Sequence, residues 1–259
     1  MRQKFALSPL LFLTLSLSAA PTPGAINILY VDGVQGNDQN DCRSRQTACK
    51  TIGQAIVLAA PGGAIFVGPA TYTENLTIGF NLGIFGSGAD KTIIDGQGLD
   101  TVIAVPSETT QVILEGLTIR NGAGQLAGGI ANSGVVTIRD TTITQNVAFK
   151  DAGAAGGGID NDGTLTLHRS IVSQNKTFGS YSSWGGGIFN VGTMTIDDST
   201  VSGNSSRATD MYGAGICNVG TLVVNRSTIS GNDTGDGALT EGGGIYNSGS
   251  EGRGLPRCR

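Results

Sequence analysis

One unit, GGGIDNDGTLTLHRSIVSQN from Gly156 to Asn175, returns along the second half of the chain. Residues 185–204 read GGGIFNVGTMTIDDSTVSGN, residues 213–232 read GAGICNVGTLVVNRSTISGN, and residues 127–146 read AGGIANSGVVTIRDTTITQN. A further copy opens at Gly242 as GGGIYNSG and then breaks off. The anchoring isoleucines Ile130, Ile159, Ile188, Ile216 and Ile245 are spaced 29, 29, 28 and 29 residues apart. A period this regular means a repeat architecture, in which each unit buries its apolar face against its neighbours.

Within the unit there is no helical periodicity. Thr164-Leu165-Thr166-Leu167 and Thr193-Met194-Thr195-Ile196 alternate polar and apolar, the period-2 pattern of a half-buried strand. A second short strand surrounds Ile143, Val172, Val201 and Ile229, and a third carries the anchoring isoleucine. Three short strands joined at Gly and Asn turns predict a triangular coil. Stacked coils make an all-β, single-stranded right-handed parallel β-helix, with neighbouring coils about 4.8 Å apart. Its inward columns would be the five isoleucines; Val136, Leu165, Met194 and Leu222; and Ile138, Leu167, Ile196 and Val224. Two asparagine columns, one from Asn132 to Asn247 and one from Asn146 to Asn232, read as turn-forming ladders, because Asn tolerates left-handed backbone and stacked amides bond to one another.

The ends differ from the middle. Residues 1–25 carry Arg2 and Lys4, an apolar run from Phe5 to Leu17 and the small residues Ser18-Ala19-Ala20, the pattern of a secretory signal peptide. No stretch of the remaining chain is apolar for long enough to span a bilayer. Without residues 1–25 the chain has 14 basic and 20 acidic residues, a balance that argues against nucleic acid as a partner. Residues 26–63 form an N-terminal cap containing one short helix, in which Ile52, Ala55, Ile56 and Ala59 share a face and Pro61-Gly62 stops the run. The solenoid would occupy 64–249, with the regular repeats from about 127. Residues 250–259 read as an irregular, truncated tail. Of the four cysteines, Cys42 and Cys49 lie close together in a polar loop and are the candidates for a local disulfide.

The segments YVDGVQGNDQNDC and CKTIGQAIVLAAPGGAIFVGPATYTENLTI resemble the N-terminal part of secreted right-handed β-helix proteins of the pectin-lyase-like superfamily. The GGGIxN units are similar to repeats of bacterial surface β-helix proteins, including the polymorphic outer-membrane protein type. The resemblance covers residues 28 to about 249. It implies a β-helix at or outside the cell surface, and it spans lyases, hydrolases and non-catalytic adhesins alike.

Candidate chemistry is sparse. Asp140, Arg169, Asp198 and Arg226 fall at one equivalent position, so successive coils present minus, plus, minus, plus: an alternating ion-pair ladder on a solvated edge. His168, the single histidine, shares the neighbouring column with Arg139 and Asp197. Asp32, Asp38 and Asp41 offer oxygen ligands for calcium, against the competing reading of a polar turn. The four linkers between repeats, VAFKDAGAA, KTFGSYSSW, SSRATDMY and DTGDGALTE, vary in sequence and carry Phe149, Phe178, Tyr181, Trp184 and Tyr212, aromatic faces suited to sugar rings or a protein partner unless they fold back onto the coil. These observations predict a non-catalytic, adhesin-like scaffold at the cell surface presenting a face to carbohydrate or protein. The alternatives are a polysaccharide-active enzyme, pectate-lyase-like by resemblance, or a fragment of a longer surface protein. A strongly perturbed acid in a pocket would favour the enzyme; an unbroken ion-pair ladder would favour the scaffold.

Overall fold

The structure, a computed structural model, describes residues 27–248 except Ala152. The signal segment 1–25 and the tail 250–259 lie outside the described residues.

Every strand pairing is parallel, and the strands build five sheets that run along one axis. The longest has eight strands and contains Val135–Arg139, Thr164–His168, Thr193–Asp197 and Thr221–Asn225. The anchor sheet contains Ile130–Asn132, Ile159–Asn161, Ile188–Asn190, Ile216–Asn218 and Ile245–Asn247. A third sheet carries Ile143, Val172, Val201 and Ile229 in register. This is the β-helix that the period demanded. Ile130, Ile159, Ile188, Ile216 and Ile245 pair across successive coils, and the first four are fully buried.

The coil has more sides than the expected three. The linkers form two further four-stranded sheets: one through Val147–Phe149, Lys176–Phe178 and Ser205–Arg207, the other through Ala154–Ala155, Ser182–Trp184, Asp210–Tyr212 and Leu239–Glu241. Unlike sequences can do this because the ladder needs only backbone hydrogen bonds and a small inward residue. Ala148, Thr177 and Ser206 supply that residue in one sheet, with the Thr177 and Ser206 hydroxyls hydrogen-bonded at 2.9 Å.

Both asparagine columns are bonded ladders. Asn132 donates to Asn161 at 2.7 Å, Asn161 to Asn190 at 2.6 Å, Asn190 to Asn218 at 2.6 Å and Asn218 to Asn247 at 2.8 Å. Asn146, Asn175, Asn204 and Asn232 repeat the arrangement at 3.0, 3.0 and 2.9 Å. The left-handed backbone, however, is not at the asparagines. It falls one residue earlier, at Gln145, Gln174, Gly203 and Gly231, and again at Asp140, Arg169, Asp198 and Arg226. The amides turn inward to bond, and the residues before them turn the chain.

The glycine heads have a steric cause. Gly156, Gly185, Gly213 and Gly242 hold φ between +59° and +63°, a region that residues with a Cβ rarely adopt. A Cβ on Gly187 would lie 2.6 Å from the Gly215 carbonyl of the next coil. The GGGI motif is therefore a statement about how closely the coils stack.

At the N-terminal end the helix Ile52–Leu58 lies against the strands Ile28–Val31 and Gly63–Val67, with Ile52, Ala55 and Ile56 joined to the core. Thr51 caps it by accepting from the Gln54 N–H, and Glu74 accepts from the Ile52 and Gly53 N–H groups at 2.8 and 2.7 Å. Cys42 and Cys49 are joined as a disulfide beside this cap. No helix among the described residues is long and apolar enough to cross a membrane.

Candidate functional site

The expected charged ladder is present as two arginine–aspartate pairs. Arg169 donates through Nε and Nη2 to the Asp140 carboxylate at 2.8 and 2.7 Å, and Arg226 does the same to Asp198 at 2.8 and 3.0 Å. Bidentate hydrogen bonding by each arginine holds the Asp140 and Asp198 carboxyls below the usual range. No direct ion pair joins Arg169 to Asp198 among the described residues; the two pairs are linked through His168 and Asp197 of the neighbouring column. His168 Nδ1 lies 3.1 Å from Asp197 Oδ2, and Arg169 Nη1 lies against His168 Nε2.

His168, Asp197 and Asp198 bring ligand atoms within 4.8 Å of one another. The charge needed there is already supplied: Arg226 Nη2 reaches Asp197 at 2.5 Å as well as Asp198. The calcium candidates are not gathered. Asp32 accepts from the Val34 and Gln35 N–H groups, Asp38 from those of Lys50 and Thr51, and Asp41 from the Arg43 N–H and the Thr47 hydroxyl. These are turn and cap bonds made one carboxylate at a time.

The five linker aromatics divide. Phe149 and Phe178 stand exposed in register on the first linker sheet, and Tyr181 is exposed at a bend. Trp184 and Tyr212 instead fold inward. With Phe189 and Cys217 they form a buried cluster that seals the second linker sheet onto the anchor sheet, and the Trp184 and Phe189 rings sit 6.4 Å apart.

Beside that cluster is a recess of about 400 Å³, lined by Leu126, Lys150, Gly153, Ala155, Asp160, Asp162, Trp184 and Phe189 among others. Asp160 is one of the lining residues. It is the middle residue of Ile159–Asn161, so its neighbours Ile159 and Asn161 point into the core and its own side chain points out. As a residue it keeps part of its surface in the recess, but its Oδ1 is enclosed and has no hydrogen-bond partner. Burial, with a smaller contribution from the Asp162 carboxylate, raises its pKa from 3.8 to about 7. A carboxyl poised near neutral pH, in a recess with a second carboxylate, can give and take a proton. Lys150 supplies a cation at the edge, and Gly153 leaves room for the indole, since a Cβ there would lie 2.5 Å from the Trp184 ring.

Asp160 is not among the sequence-level candidates, although a signal was present. Along its outward column stand Thr77, Ala104, Ala131, Asp160, Phe189, Cys217 and Tyr246. It is the only ionisable carboxylic acid in that row, and it sits where the repeats otherwise place apolar or small residues.

No protein-family model and no curated protein matches the chain. Among solved structures, the pectin methylesterase PemA from Erwinia chrysanthemi is similar with a TM-score of 0.50 and 17% identity, over 79% of this chain and 66% of that one. A pectin methylesterase mutant in complex with a hexasaccharide gives 0.49 at 15% identity over 86% and 81%, and the pectate lyase Pel9A gives 0.37 at 15% over 82% and 79%. The likeness to PemA supports the right-handed β-helix fold. The expectation of a non-catalytic, adhesin-like scaffold is corrected here. The finding against it is the likeness to PemA, which is itself named as an enzyme, a pectin methylesterase. The physical reason lies in the recess, where a strongly shifted acid lines a pocket.

Proposed function

We propose that the protein is a polysaccharide-active enzyme that hydrolyses glycosidic bonds at the Asp160 recess, outside the cell to which the segment 1–25 directs it. The observation that carries this reading is the Asp160 carboxyl: enclosed, without a hydrogen-bond partner at Oδ1, and titrating at about 7. In its protonated form it donates to the departing glycosidic oxygen. Asp162, which also lines the recess, takes the proton of the water whose hydroxyl goes to the anomeric carbon. The net change is one water added across one C–O bond. The Trp184 and Phe189 rings wall the sugar's apolar face, and Lys150 suits a sugar bearing a carboxylate. PemA and its relatives are named for pectin, an acidic polysaccharide, which supports the same substrate class.

The test is a screen of polyuronates and neutral glycans for new reducing ends, run with wild type and Asp160→Asn. The expected result is release from at least one polyuronate that falls by about 10²–10⁴-fold in the variant. No release from any glycan, or release unchanged in Asp160→Asn, overturns the proposal.

A further inference from the structure

At the N-terminal end of the long sheet, one row of outward residues changes character. It runs Tyr30, Phe66, Phe85 and then Glu115, Arg139, His168 and Asp197 in register, aromatic over its first three coils and polar after them. The three rings stack in series, with centroids 6.0 Å apart between Tyr30 and Phe66 and 5.4 Å apart between Phe66 and Phe85. Phe66, in the middle of the stack, keeps 42% of its surface exposed. A Cβ on Gly83 would lie 2.5 Å from the Phe85 ring, so that ring lies over a strand residue without a side chain. Beside the rings is a recess of about 390 Å³, whose polar lining includes Asp32, Arg45 and Ser87. Arg45 is exposed and makes no hydrogen bond or ion pair among the described residues. Asp32 accepts the Val34 and Gln35 N–H groups through Oδ1, which leaves Oδ2 to accept a further hydrogen bond.

We propose that this recess is a separate, non-catalytic binding site for an acidic glycan, with the rings against the sugar's C–H groups and Arg45 on its carboxylate. Two kinds of group meet there. Stacked rings, one of them well exposed, give the C–H groups of a sugar an apolar wall. The Arg45 guanidinium has five donors and no partner of its own, and a carboxylate is the group it fits with two parallel bonds. Asp32 adds an acceptor, which a bare anion cannot use and a sugar hydroxyl can. A uronic acid carries all three features: C–H groups, hydroxyls and a carboxylate. The site lies apart from Asp160. Phe85 stands three coils before His168, whose strand directly follows that of Asp160, and the two sites belong to different sheets. A polymer held at two places on one molecule leaves more slowly than one held at either alone, so this site keeps the protein on its polymer. The assignment goes beyond the hydrolytic reading and does not depend on it.

The experiment is a carbon-13 NMR titration of the protein labelled at its phenylalanine rings, with the Phe66 signal assigned by its loss in Phe66→Leu. The probes are a linear hexamer of galacturonic acid and, as its neutral counterpart, a linear hexamer of glucose. All titrations are run in Asp160→Asn, so that the probe survives whether or not wild type cleaves it. The Phe66 signal should shift and saturate with the acidic hexamer. Adding Arg45→Gln should raise the midpoint by about tenfold or more, the neutral hexamer should show a similarly raised midpoint, and adding Lys150→Gln at the Asp160 recess should leave the midpoint unchanged. A Phe66 signal that does not move overturns the proposal, as does an unchanged midpoint with Arg45→Gln. Equal midpoints for the two hexamers overturn it too. So does a midpoint that rises with Lys150→Gln as it does with Arg45→Gln, since the signal would then report the other recess. Hydrolysis enters none of these readings, so the hydrolytic proposal can fail while this one holds.

Discussion

The edge of the long sheet and the floor of the recess use the same residue type to opposite ends. At the edge, Asp140 and Asp198 are open to water and each is gripped by an arginine, so each carboxyl ionises more readily than usual. At the recess, Asp160 is enclosed, forms no ion pair among the described residues and has another carboxylate for a neighbour, so it holds its proton to about pH 7. The first arrangement closes a repeat turn at little cost. The second costs stability and is retained by the fold, the pattern expected where a group works.

The comparison can be broken first at its dry limit. Ile188→Asp places a carboxylate in the fully buried isoleucine column with no partner, costing several kcal/mol, and should abolish cooperative unfolding near room temperature. Circular dichroism melts check this, and a near-wild-type melt would mean that the column is not the core. Next comes the recess itself. Asp160→Asn should remove about 10²–10⁴-fold of any glycan hydrolysis while the protein stays folded.

The same variant sharpens the contrast through pH. The native Asp160 carboxyl binds its proton more tightly than an unfolded aspartate of pKa 3.8, so native protein holds more protons between pH 4 and 7. Stability contributed by the protonated form is complete below about 3.8 and is lost as pH rises through about 7. Asp160→Asn should therefore melt higher than wild type at pH 8, by roughly 2 kcal/mol after allowing for water in the recess, and show no such advantage at pH 4. Equal melts at both pH values would mean that the carboxyl is well solvated. The smallest effect belongs to the edge. Arg169→Ala should move the melting temperature by about 2 °C or less and leave hydrolysis unchanged, because exposed pairs contribute little. A large loss of activity there would move the working site to the ladder.

Much of the architecture was legible because the solenoid repeats its own constraints. The isoleucine period, the Thr-Leu-Thr-Leu alternation and the GGG heads each follow from one coil stacking on the next. The linker sheets were not legible, since their strands need only backbone bonds and a small inward residue such as Ala148, Thr177 or Ser206, which leaves little trace in dissimilar sequences. Trp184 and Tyr212 were visible as aromatics, but whether they point out or in depends on those sheets. Asp160 lacks the repeat-borne charge alternation that marks Asp140 and Asp198. An acid among Ala131, Phe189, Cys217 and Tyr246 breaks its column's pattern, and such a break is a sequence-level signal of its own.

The central claim is that Asp160 is a proton-holding group and not one more paired surface carboxylate. Carbon-13 NMR titration of aspartate carboxyls, assigned by loss of the Asp160 signal in Asp160→Asn, measures this directly. The account predicts a midpoint for Asp160 near 7, with Asp140 and Asp198 titrating below the ordinary aspartate range. An Asp160 midpoint near 4 would contradict it, leaving the recess without a group able to exchange protons at neutral pH.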